Sequence, residues 1–195
     1  LITGENGVGK KMIAQEIHQS FNRRKGVSSI LDFTEKFTEE VLLSEFEDLS
    51  SNSLILNHIE LMDEKTQQMV SKALEGKKSL KVISICNHLS LLKSFDTDFL
   101  QKLNLIQIDI QPLRERKEDI KVLADFFLSE FSSKYGRVSN AFTTEALNKL
   151  NKHSWIGNVK ELKHCIERAV ILSESEKIDD SLIKVDFNLT TSSIN

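Results

Sequence analysis

The stretch Leu1–Met12, LITGENGVGKKM, decides how the chain is read. Gly4-Glu5-Asn6-Gly7-Val8-Gly9-Lys10 has the G-x-x-x-x-G-K spacing of a phosphate-binding P-loop. Leu1, Ile2 and Thr3 read as the end of a buried strand. Met12 to Phe21 read as the helix that comes next, with Ile13, Ile17 and Phe21 at helical spacing. Between a strand and a helix, the loop's backbone N–H groups can wrap a phosphate, and the helix N-terminus adds partial positive charge. The three glycines allow the close backbone approach that side chains would block, and Lys10 would reach the outer phosphates. The alternative is a glycine-rich corner that only joins strand to helix. Lys11 stands where P-loops commonly carry Ser or Thr, so a hydroxyl ligand for magnesium is absent.

Downstream of this loop, short apolar runs alternate with amphipathic stretches. Arg23-Arg24-Lys25-Gly26 reads as a basic helix end with a glycine stop. Strands are expected at Val27–Phe33, Leu54–Leu56, Leu80–Cys86 and Leu105–Ile110. Helices are expected from Thr38 to about Phe46 and from Asp63, as N-cap, to Leu74. Ser50–Ser53 read as a loop. Alternation of this kind predicts a parallel sheet covered by helices, an α/β class. Pro112 marks a change, and after it the chain reads as helices only: Lys117–Tyr135, Thr143–Leu150 and Asn158–Ser173. The first would turn Ile120, Leu123, Phe126, Phe127 and Phe131 inward. Three parts are expected: an α/β part over 1–111, a small helical part over 112–176, and a tail or linker over 177–195.

Composition sets limits around this reading. The chain has 195 residues, 28% of them charged, and a net charge of −3, so no global charge pulls it toward nucleic acid or membrane. No apolar run approaches the roughly 18 residues of a membrane span. No signal peptide is evident, and the chain opens inside what should be a strand, so it is expected to be a piece of a longer protein. Cys86 and Cys165 sit in apolar surroundings and read as free core thiols in a reducing cytoplasm. The histidines show no metal spacing, and surface or capping roles are expected of His18 and His153.

Two later segments, with the P-loop, carry a family resemblance. Pro112-Leu113-Arg114-Glu115-Arg116-Lys117-Glu118-Asp119-Ile120 resembles the PLRER-x-EDI signature of the sigma-54-interaction AAA+ domain. Trp155-Ile156-Gly157-Asn158-Val159-Lys160-Glu161-Leu162 is similar to its WPGNVREL segment, and GENGVGK to its GESGTGK. The resemblance runs from Leu1 to about Ile178. It implies an AAA+ P-loop NTPase fold with a helical lid, and a bacterial enhancer-binding (NtrC-type) transcriptional activator. In that family an AAA+ ring hydrolyses ATP to remodel RNA polymerase bound to sigma-54. The resemblance also implies that Gly4, Glu5, Asn6, Gly7, Val8, Gly9, Lys10 and Lys11 line the site for ATP or ADP. Asn87 then matches the γ-phosphate-sensing asparagine, and Lys160 replaces the lid arginine.

The pattern breaks at three places. The family's second nucleotide motif is an apolar strand ending in Asp-Glu, but Leu54-Ile55-Leu56 leads into Asn57-His58. A carboxylate would hold Mg²⁺ and another would activate water. Asn57 is a weak magnesium ligand, since hard cations prefer carboxylate oxygen. His58 lacks fixed negative charge, and Glu60 and Asp63 lie nearby on different turns. The family's arginine fingers fall at Asp96 and Lys102, of which the first would repel a phosphate and the second lacks the guanidinium fork. Only 46 residues separate Lys10 from Asn57, and no GAFTGA sequence, the family's sigma-54 contact loop, occurs.

These features leave three readings open. In the first, the chain binds ATP or ADP but hydrolyses ATP poorly or not at all, with only a weak Mg²⁺ ligand set. In the second it is an active ATPase driving sigma-54 open-complex formation. In the third it is a scaffold that binds no nucleotide. Self-association or a mixed ring with related subunits is the expected assembly, and DNA would be reached only through segments outside this chain.

Overall fold

The computed structural model describes residues 1–21, 29–35, 37–47, 53–77 and 80–185. The basic run Arg23–Gly26 and the start of the expected second strand at Val27 lie outside the described residues. So do most of the expected Ser50–Ser53 loop and the end of the expected tail. The chain divides into two compact units, Leu1–Ile110 and Gln111–Asn195.

The first unit is a parallel sheet with helices. Its strands are β1 (Ile2–Thr3), β2 (Ser29–Asp32), β3 (Ser53–Asn57), β4 (Lys81–Ser84) and β5 (Ile108–Asp109). β2, β3 and β4 pair in that order, and β1 pairs with β5. A parallel bridge between Ile2 and Ile85 joins the two groups, so the order across the sheet is β5-β1-β4-β3-β2. All five residues of β3 are buried, as expected of a parallel strand covered on both faces. Its alternate side chains enter different cores. Leu54 and Leu56 join Leu31, Leu42, Phe46 and Val70, while Ile55 joins Ile2, Val8, Ala14 and Ile85.

The helices of this unit are α1 (Lys10–Phe21), α2 (Glu39–Glu47), α3 (Glu64–Leu74) and α4 (Thr97–Leu103). Asp63 caps α3 by accepting from Thr66 N at 2.8 Å. Two expectations fail here. His18 is buried rather than on the surface, because it lies one turn after Ala14 on the inward side of α1 and meets the Ser53 hydroxyl. The Leu105–Ile110 strand shrinks to Ile108–Asp109, which pair with Ile2 and Thr3. Leu105 and Ile106 are exposed.

The second unit holds α5 (Glu118–Tyr135), α6 (Thr144–Lys152) and α7 (Asn158–Leu172), entered through a short turn at Leu113–Glu115. It is not purely helical, since β6 (Ala141–Phe142) and β7 (Lys177–Ile178) pair in parallel. Residues 177–185 of the segment read as a tail therefore belong to the fold. Ile178 and Ile183 are fully buried, Thr143 N donates to Ile178 O at 2.9 Å, and Lys149 Nζ donates to Asp180 O at 3.0 Å. Phe126 departs from expectation and is exposed, because the inward stripe of α5 runs through Ile120, Ala124, Phe127, Leu128 and Phe131. Both cysteines are free and buried.

The two motif segments of this unit bind each other. Leu113 N donates to Asn158 Oδ1 at 2.8 Å, Trp155 is fully buried, and its Nε1 donates to Leu150 O at 2.8 Å. Glu161 caps the start of α7 by accepting from Gly157 N at 2.8 Å. A Cβ on Gly157 would lie 2.9 Å from Glu161 Cβ, so the glycine is needed for that approach. Replacing Trp155 with Ala leaves a large cavity, and urea denaturation should show a loss of about 3–5 kcal/mol.

Candidate functional site

Because every strand of the sheet is parallel, their carboxyl ends meet along one edge. The P-loop leaves β1 there, Asp32 and Asn57 end β2 and β3, and Asn87 comes just after the β4 run. Gly4, Gly7 and Gly9 have φ of 145°, 81° and 107°, values closed to ordinary side chains. At Gly4 a Cβ would also stand 2.7 Å from Ile110 O. Such a run of turned amides forms an anion-binding concavity ahead of α1, whose first residue is Lys10.

Lys10 is 8% exposed, and its ammonium is enclosed by oxygens. Nζ donates to Gly4 O at 2.6 Å, to Glu5 O at 2.9 Å and to Asn87 Oδ1 at 2.9 Å. Burial pulls the ammonium below the usual lysine range, and the charge of Glu60 opposes that pull. Asn87 is a junction as well as a partner. Its carbonyl accepts from Gly4 N at 3.3 Å, and its N–H donates to Glu60 Oε1 at 3.2 Å. Cys86, next to it, is pushed up to about 12 by burial and by Glu60, so it stays a thiol.

A carboxylate that the sequence motifs do not point to stands at this edge. The register sets Asp32 opposite Asn57. Asn57 Nδ2 donates to Asp32 Oδ2 at 2.7 Å, and His58 Nδ1 lies 3.0 Å from Asp32 Oδ1. A carboxylate only accepts, so Nδ1 carries a proton toward Asp32. Burial pushes Asp32 upward, yet hydrogen bonds from Asn57, His58 and Thr34 outweigh it and hold the carboxyl well below the usual range. His58 takes a left-handed conformation, φ 55° and ψ 47°, at the turn after β3. The signal in sequence is faint: two apolar strands, SILD and SLILN, each ending in a polar residue.

The other expected positions fall apart chemically. Asp63 is the cap of α3. Asp96 caps α4 by accepting from Phe99 N at 2.8 Å, and Lys102 sits exposed in the last turn of that helix with Ser71 as a 3.4 Å partner. Both have local structural work. Within the P-loop, Val8 is buried in the core, Asn6 and Lys11 are exposed, and Glu5 is intermediate. In the second unit, Lys160 is exposed on the first turn of α7.

Comparison with known proteins bears on the fold. Residues 1–46 match the sigma-54 interaction domain, and residues 114–193 match the AAA+ ATPase lid domain. NtrX from Brucella abortus, solved in complex with ATP, matches with a TM-score of 0.81 at 23% identity, over 96% of this chain and 49% of that one. The RuvB Holliday junction branch migration motor of Thermotoga maritima matches with a TM-score of 0.65 at 13% identity, over 93% and 58%. The chain has the AAA+ fold. Among curated relatives, the nitrogen fixation protein VnfA of Azotobacter vinelandii is 34% identical over 89% of this chain and 40% of its own length. The transcriptional regulatory protein FlbD of Caulobacter vibrioides is 30% identical over 95% and 48%. The chain thus spans less than half the length of either relative. No helix among the described residues is long and apolar enough to cross a membrane.

Two outcomes test the assignments at this edge. Asp32 is held low by its partners, so its contribution to stability is present above the unfolded carboxyl value near about 4 and is lost as pH falls below it. In acid titrations monitored by circular dichroism, Asp32→Asn should remove that component. Asp96→Ala should cost about 0.5–2 kcal/mol as a lost helix cap, measured by urea denaturation, and leave nucleotide affinity unchanged.

Proposed function

We propose that this chain is the AAA+ module of a sigma-54-dependent-type bacterial transcriptional regulator, one that binds ATP or ADP and hydrolyses ATP poorly or not at all. The observation that carries this reading is a P-loop with its lysine in place beside a β3 end that has no carboxylate of its own. The glycine conformations and the Lys10 ammonium suit a polyphosphate. The residues at the magnesium side fit less well. Lys11 offers no hydroxyl, as in the family it resembles, and the Asn57 amide already donates to Asp32. No hydrolytic step is assigned to the metal on this basis.

On this reading nucleotide is a structural ligand and switch. It stabilises the folded chain by mass action and biases assembly with further subunits, its own copies or related AAA+ chains. The sequence contains no GAFTGA, so remodelling of sigma-54 by this module is not expected. DNA would be engaged by segments outside this chain, and the setting would be the bacterial cytoplasm. Support comes from the domain matches at both ends of the chain and from the ATP complex of the NtrX neighbour.

A second reading has one observation in its favour. Asp32 accepts from Nδ1 of His58, which stands at the position where the family carries a carboxylate. If His58 served hydrolysis, phosphate release would be lost in His58→Ala.

Thermal unfolding with ADP or ATP separates these readings from a scaffold that binds neither. Saturation at about 100 times Kd should add about 2.7 kcal/mol of stability, a rise of several degrees. Lys10→Ala should abolish the rise, and phosphate release should stay at background from pH 5 to 9. No shift with either nucleotide would overturn the proposal.

A further inference from the structure

Glu60 stands where no nucleotide motif calls for it, yet it is bonded to the asparagine that holds the P-loop lysine. Its Oε1 accepts from Asn87 N at 3.2 Å, and Asn87 Oδ1 accepts from Lys10 Nζ at 2.9 Å. The lysine and the glutamate therefore meet on one asparagine. Oε2 of Glu60 is buried and has no hydrogen-bond partner among the described residues. The carboxylate is thus held in place by the Asn87 amide, with the Cys86 thiol beside it, and its charge is felt at Lys10.

We infer that Glu60 sets the length of phosphate chain this site accepts, favouring a nucleoside diphosphate over the matching triphosphate when no divalent cation is present. The inference rests on the nucleotide-binding reading proposed for this chain. A P-loop lysine serves the outermost phosphates. Any group drawn to Lys10 and Asn87 comes under the field of Glu60. A diphosphate leaves this corner to Lys10 and the loop amides. A triphosphate brings a further anionic group toward a carboxylate whose Oε2 is buried, where like charges repel more strongly than in water. In a site with aspartate at the β3 end, magnesium would offset such repulsion; here that position is Asn57, whose Nδ2 is committed to Asp32.

Isothermal titration of the 195-residue chain with ADP and with ATP, in EDTA and again with Mg²⁺, tests this. In EDTA the wild-type chain should bind ADP about tenfold more tightly than ATP. Glu60→Gln keeps an acceptor for Asn87 N and removes the charge. It should bring the two affinities within about threefold, chiefly by tightening ATP. Glu60→Ala should move the ratio in the same direction, and melting curves without nucleotide show whether each variant is folded. Equal wild-type affinities in EDTA overturn the inference without any variant. So does a ratio that Glu60→Gln leaves unchanged, or a Glu60→Gln loss of ATP affinity confined to Mg²⁺, which would make Glu60 a metal-side residue. Binding of neither nucleotide would sink the proposed function itself, whereas equal binding of both sinks only this inference.

Discussion

The first unit depends on how a buried ammonium is satisfied. A lysine has three N–H donors and no acceptor, and burying it without partners is prohibitive. Lys10 has three oxygen partners, two of them carbonyls of its own loop and the third the side chain of Asn87. The loop can turn those carbonyls inward only because glycine occupies the positions of positive φ. Asn87 can supply the third oxygen only because its backbone is tied to Gly4 on one side and to Glu60 on the other. One charge thus fixes the loop, the end of the β4 run and the turn after β3 as a single arrangement. A ligand phosphate entering this loop must take over at least some of those lysine bonds, so binding is an exchange of partners rather than a simple filling of space.

The second constraint is register. Parallel strands in register bring residues of distant sequence to the same edge without any local signal. That is how Asp32, which precedes Asn57 by 25 positions, comes to accept from it. The β3 end carries no carboxylate of its own, yet Asp32 places one at this edge, one strand across, where an amide and an imidazole hydrogen-bond it. Glu60 supplies another, facing the lysine instead of the β3 end.

These residues mark the limit of what the sequence can say. The P-loop is legible because its function is encoded in local backbone geometry, which glycine spacing reports directly. The parallel order is legible in outline, since continuous apolar runs such as SLILN need cover on both faces. Asp32 and Glu60 escape a reading by motif because their importance comes from pairing across strands and turns. His18 and Phe126 are misplaced by it for a related reason. Helical spacing gives a stripe, but its centre is set by neighbours, and a polar residue inside it needs only one partner such as Ser53 to be tolerated. Asp96 and Lys102 stand out in sequence as departures from a catalytic pattern, while the fold uses the first to start α4 and leaves the second on its surface.

The β6–β7 pair gives the second unit an unusual closure. Its last described strand returns to lie beside a strand that precedes α6, and Ile178 and Ile183 complete the core begun by Leu113 and Ile120. Arg168 and Cys165 of α7 both donate to Lys184 O. The stretch from β7 to Lys184 therefore acts as a clasp on α7. Through Lys184 O, the end of the described chain is thereby anchored to the same helix that carries the exposed Lys160 on its first turn.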